Sequence, residues 1–210
     1  MTAPSRSLPP DALTQRLLAN CCFPSPTDAP HYHCAVSGGP DSTALAALAV
    51  AAGLNATLWH VDHGLRAGSA AEAKVVARLA DWLGCGFQAL TVQIEGGGNV
   101  EAKARRARYA ALPADVATGH TADDQAETVL VNLLRGAAVD GLAAMTPGPR
   151  RPLLRLRRRD TWALCELAGL EVIEDPTNNE GRFLRNRVRK ELLPLLAELS
   201  QRDQIGRAHV

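Results

Sequence analysis

The sequence predicts an α/β fold, a doubly wound parallel sheet followed by a small helical C-terminal extension. Three observations carry that expectation. Short apolar runs alternate with helical patterns between about residues 32 and 135, the order that sets strands side by side in parallel with helices on both faces. Gly53, Gly84 and Gly136 stand where helices are expected to stop. After about residue 140 the alternation gives way to loop, one short strand and two helices.

Taken in order, residues 9–20 form an amphipathic helix with Leu13, Leu17 and Leu18 on one face. A loop from Phe23 to Pro30 leads into a strand at 32–37, then helix 41–53, strand 56–61, helix 69–83 and strand 87–94. Gly96-Gly97-Gly98 precedes helix 99–112, a strand at 115–118 follows, and helix 122–135 closes the alternating part. The extension holds a strand at 153–156 and helices at 159–169 and 183–199, with the turn signal Asp175-Pro176-Thr177-Asn178-Asn179 between them. Ligands of such sheets sit beyond the carboxyl ends of the strands, at a topological switch point. The segments at Ser37, His60, the triple glycine and His120 are therefore expected along one rim. The expected organisation is an N-terminal helix and linker at 1–30, a catalytic unit at 31–148, its basic C-terminal part at 149–203 and a tail at 204–210. That tail, Gln204 to Val210, reads like a frame of a common sequencing adapter and is expected to be non-native.

Of the 210 residues, 46% are apolar and 21% charged, the balance of a soluble globular chain, and no apolar run is long enough to span a bilayer. The five cysteines form no C-x-x-C and no metal spacing, which suits a reducing cytoplasm. The net charge of +1 conceals an asymmetry. Arg150 to Arg159 holds six arginines and no acid, Arg182 to Lys190 holds five basic residues and no acid, and Pro113 to Glu127 holds four acids and no base. Two basic clusters beside an acidic one point to a polyanion surface next to a cation site, with arginines solvated on helix faces as the plainer explanation.

Ser37-Gly38-Gly39-Pro40-Asp41-Ser42 follows the first strand and opens a helix. Glycines let backbone N–H groups approach an anion, the helix dipole favours negative charge there, and Pro40 suits a first turn. Asp41 suits a phosphate site only with a bridging divalent cation. The plainer alternative is a glycine turn with Ser and Asp as helix starters. Neither the Walker A nor the G-x-G-x-x-G pattern is present.

In Gly119-His120-Thr121-Ala122-Asp123-Asp124-Gln125-Ala126-Glu127-Thr128, helical spacing puts Asp124, Glu127 and Thr128 on one face with His120 just ahead. Thr121 is a natural N-cap, and acids in a first turn complement the dipole without doing chemistry. Acids gathered beside a His at a strand's carboxyl end nevertheless exceed what capping needs, and Mg²⁺ takes oxygen ligands of this kind. Glu101 and Arg105, four apart, read as a surface pair worth about 0.3–0.5 kcal/mol. His60-Val61-Asp62-His63 reads as a turn after the second strand rather than a metal site.

The first loop resembles the SGGxDS loop of PP-loop ATP pyrophosphatases. HVDHGLR, GNVEAKARRARYAAL, TGHTADDQAET, RGAAVDGLAAM, RPLLRLRR, EDPTNN and FLRNRVR follow in order and resemble the tRNA(Ile)-lysidine synthases from residue 34 to about 195. The resemblance implies an adenine nucleotide α-hydrolase-like fold, Mg²⁺, and use of ATP to adenylate the wobble cytidine of CAU-anticodon tRNA(Ile). L-lysine then displaces AMP. It further implies that Ser37, Gly38, Gly39, Pro40, Asp41 and Ser42 hold the phosphates, that His60, Asp62 and His63 line the adenine side, and that Arg105 faces the tRNA or the reacting phosphate. Asp41, His120, Asp123, Asp124, Arg185 and Arg189 would be catalytic, and Asp41, Asp124 and Glu127 would hold the metal. Ala138 and Ala144 stand where members often have glycine, and many members continue into further tRNA-gripping domains. Membranes are not expected as partners, and the oligomeric state, a homodimer among the options, is left open. Three alternatives remain: a PP-loop tRNA thiolase, disfavoured by the missing C-x-x-C; an ATP-binding fragment without turnover; and a general RNA-binding module resting on the arginines.

Overall fold

The computed structural model describes residues 8, 11–62, 69–92, 106–107, 109–138, 144–173 and 184–200. Helix α1, Ala12–Ala19, starts where Asp11 Oδ1 accepts from the Thr14 N–H at 2.7 Å. Strands β1 (Tyr32–Ala35), β2 (Ala56–Asp62), β3 (Gly86–Thr91) and β4 (Ala117–Thr118) form one parallel sheet in the order β3-β2-β1-β4. The chain steps outward from β1 to β3, then returns to lay β4 on the other flank of β1. The loops after β1 and β4 therefore leave neighbouring strands in the gap where the order reverses, which is where a parallel sheet binds its ligand.

Helix α2 (Pro40–Ala51) fills the centre, and Thr43 to Ala49 are all buried. A helix apolar on every side belongs inside a protein, and its alanines let it lie close to the sheet and to α5 (Arg158–Leu167). It stops at Ala51, with Gly53 at φ +82. Helix α3 (Ser69–Leu83) covers β2 and β3, and Gly84 follows it at φ +67. Residues 106–107 and 109–111 are helical, and α4 spans Ala122–Leu134. The last helical run divides into α6 (Leu184–Arg187), a wide π-helical turn (Val188–Leu192) and α7 (Leu193–Ser200).

The α/β order agrees with the sequence expectation, with differences of detail. The first strand stops at Ala35, and only two residues of the fourth pair with β1. The strand expected at 153–156 is absent: these residues form turns, with the Leu156 N–H bonding to Leu153 O at 2.8 Å. Leu153, Leu154 and Leu156 are all buried. An apolar run signals burial, and only an available sheet edge turns burial into a strand; here the Ala122 N–H takes Leu156 O instead. The single helix expected at 183–199 carries the π turn, a feature that leaves no signal in apolar spacing. No described helix is long and apolar enough to cross a membrane.

Candidate functional site

The loop after β1 is shaped by its own hydrogen bonds. Ser42 Oγ donates to Gly39 O at 2.9 Å and lies 3.2 Å from both Ser37 N and Ser37 Oγ, while Thr43 Oγ1 donates to Gly38 O. Gly38 sits at φ +89, which a side chain rarely adopts, and a Cβ there would overlap Ile173 Cδ1. Gly39 caps α2 with no side chain, and Pro40 follows it. A helix N-terminus without a side-chain cap, after a left-handed glycine, is suited to receive an anion.

The second loop presses against the first. A Cβ on Gly119 would lie 2.7 Å from Asp41 O, so only glycine lets the β4 exit pass so close to α2. Behind it, His120 Nδ1 lies 2.7 Å from Thr118 Oγ1. Asp124 divides its two oxygens. Oδ2 accepts from Thr121 N at 2.9 Å and Thr121 Oγ1 at 3.2 Å, whereas Oδ1 faces Arg158 at 3.3 Å and Arg185 at 3.6 Å. One oxygen thus caps the helix and leaves the other to the arginines. Asp123 Oδ2 accepts from the Arg158 backbone N–H at 2.8 Å, which docks the start of α5 onto α4.

Asp41 accepts from Thr161 Oγ1 through Oδ1 and from Arg158 Nε at 3.4 Å through Oδ2. Burial pushes its carboxyl above the usual range, and Asp124 adds to this, against the lowering effects of Thr161 and Arg158. Glu127 is fully buried. Its oxygens accept from Arg189 at 2.6 and 3.0 Å, Arg185 at 2.8 Å and Arg158 at 3.2 Å. Burial alone would raise it, but the hydrogen bonds from Arg189 and Arg185, with the charge of Arg158, hold it below the usual range. Burial acts to lower Arg158, and Asp124, Glu127 and Asp41 outweigh it, so its guanidinium is held more firmly charged.

The structure therefore brings together Ser37 to Ser42, Asp41, Asp124, Glu127, Arg185 and Arg189 from the sequence-derived set. His60 is buried on β2, with Nδ1 2.9 Å from Val36 O, and Asp62 ends the same strand. His63 and Arg105 lie outside the described residues. Glu127 does not fit the metal role expected of it, because guanidinium groups occupy both of its oxygens. Asp41 Oδ2 and Asp124 Oδ1 are carboxylate oxygens of the kind Mg²⁺ takes beside substrate phosphates; among the described residues no group of three His, Cys, Asp or Glu is arranged around a metal position. Arg158 and Thr161 were missed as site residues. One signal for Arg158 exists in the sequence: a cation in a helix's first turn opposes the dipole and needs a carboxylate partner.

Residues 12–196 match the model of the PP-loop domain family. A tRNA(Ile)-lysidine synthase of Nocardia farcinica is 47% identical over 83% of this chain and 58% of its own length. Another, of Mycolicibacterium paratuberculosis, is 51% identical over 79% of this chain and 54% of its own. The chain thus spans somewhat over half the length of these relatives. The U34-tRNA thiolase NcsA of Methanococcus maripaludis, solved with its [4Fe-4S] cluster, shares the fold at a TM-score of 0.69 and 17% identity, over 89% of this chain and 72% of that one.

Proposed function

The chain belongs to the PP-loop domain family, and on that premise we propose that it carries the catalytic chemistry of tRNA(Ile)-lysidine synthesis. The reaction is ATP-dependent ligation of L-lysine to C2 of the wobble cytidine in CAU-anticodon tRNA(Ile), through an adenylated tRNA, with release of AMP and diphosphate. The observation that carries this reading is the meeting of two helix N-termini at the switch point, one behind an uncapped glycine loop and one presenting Asp124 toward Asp41 across Arg158. Relatives named for this activity at 47% and 51% identity support it.

Ser37, Gly38, Gly39, Pro40 and Ser42 are assigned to the phosphates, His60, Asp62 and His63 to the adenine, and Arg105 to the tRNA or the reacting phosphate. Asp41 and Asp124 are the proposed Mg²⁺ ligands; the bound ion neutralises phosphate charge. Glu127 instead holds Arg185 and Arg189 where a guanidinium can stabilise charge developing on the α-phosphate. The lysine amine attacks only when neutral, and its proton goes to His120 or to a carboxylate of this rim. Asp123 fixes α5 against α4. Exposed Arg150 and Arg155 lie on the basic stretch that contacts the tRNA.

The test is diphosphate release from ATP with CAU-anticodon tRNA(Ile), with and without lysine, beside a UAU-anticodon control. Release confined to the CAU tRNA, with lysine attached to it, is expected. Equal release with both tRNAs, or none from a protein that binds ATP and the CAU tRNA, would overturn the assignment.

A further inference from the structure

Each nitrogen of the Arg158 guanidinium reaches a different carboxylate: Nε lies 3.4 Å from Asp41 Oδ2, Nη2 3.3 Å from Asp124 Oδ1 and Nη1 3.2 Å from Glu127 Oε1. All three contacts are long, since charge-assisted N–H···O bonds settle at about 2.7–2.9 Å. The neighbouring cations are held differently: Arg189 and Arg185 reach Glu127 at 2.6 and 2.8 Å. Arg158 thus has the longest nearest contact of the three, and it lies between carboxylates that belong to separate helices.

The remaining oxygens of that pair are already committed. Thr161 takes Asp41 Oδ1, and Thr121 takes Asp124 Oδ2. One oxygen from each carboxylate is left facing Arg158, that of Asp124 with Arg185 farther off at 3.6 Å, and one or two carboxylates are what Mg²⁺ accepts from a protein beside substrate phosphates. Charge points the same way. Arg158 is the cation nearest both carboxylates, at 3.4 Å from Asp41 and 3.3 Å from Asp124. A divalent ion added beside it would set two cations against each other a few ångströms apart, whereas one in its place avoids that repulsion.

We propose that Arg158 is the resident counter-ion of the Asp41–Asp124 pair, and that its guanidinium and a divalent cation exclude each other there. Exchange frees a guanidinium at the start of α5 to meet a phosphate. The inference rests on the nucleotide reading of this rim and is independent of which RNA is modified.

Mn²⁺ is the probe, titrated into the nucleotide-free protein and followed through the spectrum of the free ion by electron paramagnetic resonance. Arg158→Gln is expected to tighten Mn²⁺ binding about tenfold, because a unit charge a few ångströms away is removed. Adding Asp41→Asn to that variant is expected to return the affinity to the wild-type level. Unchanged or weaker Mn²⁺ binding by folded Arg158→Gln overturns the proposal. The wild-type protein gives a second readout that does not depend on the variant folding. On addition of Mg²⁺ the Arg158 Nε–H nuclear magnetic resonance signal is expected to shift while that of Arg189 stays; an immobile Arg158 signal at saturating Mg²⁺ overturns the proposal equally. Binding of a fluorescent ATP analogue to the wild type, measured in parallel, separates the two ideas: its absence overturns the nucleotide reading, whatever Arg158 does.

Discussion

Arg189 grips Glu127 with two nitrogens, Nε at 2.6 Å from Oε1 and Nη2 at 3.0 Å from Oε2, and the carboxylate it grips is wholly buried. A carboxylate in that position is tolerable only because guanidinium groups surround it, and those groups are in turn aimed by it. The pair ties the π turn to α4 across 62 residues of chain.

Glu127→Ala is therefore expected to lower stability by about 3 kcal/mol, the scale for removing one partner of a buried ion pair. The figure sits at the low end because Arg185 and Arg189 keep 40% and 28% side-chain exposure and regain water. Urea unfolding measures it. The pH dependence has a definite sign. A carboxyl held below its ordinary value, about 4.3, contributes stability that is present above that value and lost as pH falls through the folded one. The stability difference between wild type and variant is expected to shrink below about pH 4.

Asp41 is expected to behave in the opposite sense. Its carboxyl is raised by burial, so the folded state holds that proton to higher pH than the unfolded chain, and the ionised group costs stability at neutral pH. Asp41→Asn is expected to raise the melting temperature by a few degrees at pH 7, with the gain vanishing below about pH 4, the ordinary range of an aspartate. The same variant is expected to lose ATP turnover. A melting temperature that falls at pH 7 would show that the contacts with Thr161 and Arg158 outweigh the burial.

Gly119→Ala tests the close approach of the two loops. The added Cβ would stand 2.7 and 2.8 Å from Asp41 O and C, backbone atoms that no rotamer change can move aside. A cost of about 1–3 kcal/mol is expected, as for overpacking elsewhere, together with weakened nucleotide binding, read by thermal melts and by titration with an ATP analogue. An alanine variant matching wild type in both would mean that the loops separate freely.

Arg150→Ala with Arg155→Ala tests the polyanion surface. Both side chains are exposed. If they contact phosphates, the slope of log affinity for tRNA against log salt is expected to fall in magnitude by about 1.4–1.8. The change should appear alike with CAU and UAU anticodons, since phosphate contacts carry no sequence information.

Much of the rim was legible before any coordinates. The loop from Ser37 to Ser42 announces itself because left-handed backbone requires glycine, and a helix start without a capping side chain leaves donors for an anion. The segment from His120 to Thr128 is legible because helical spacing puts Asp124 and Glu127 on one face. The turn expected at His60 to His63 is not borne out at its start: His60 and Asp62 lie on the second strand, and the hydrogen bond of His60 to Val36 O depends on the pairing of β1 with β2.

The sequence by itself determined the alternation of strands and helices, where most helices start and stop, and which loops carry glycine and acid, because these follow from local backbone preference and short-range periodicity. The tertiary structure alone decided partnership. Glu127 reads as a metal ligand in the chain and becomes the anchor of three arginines in the fold, and Arg158 reads as one arginine among six and becomes the cation between Asp41 and Asp124. The physical reason is that a charge is satisfied by whichever opposite charge packing brings within about 4 Å, and that distance joins residues 31 to 117 positions apart here.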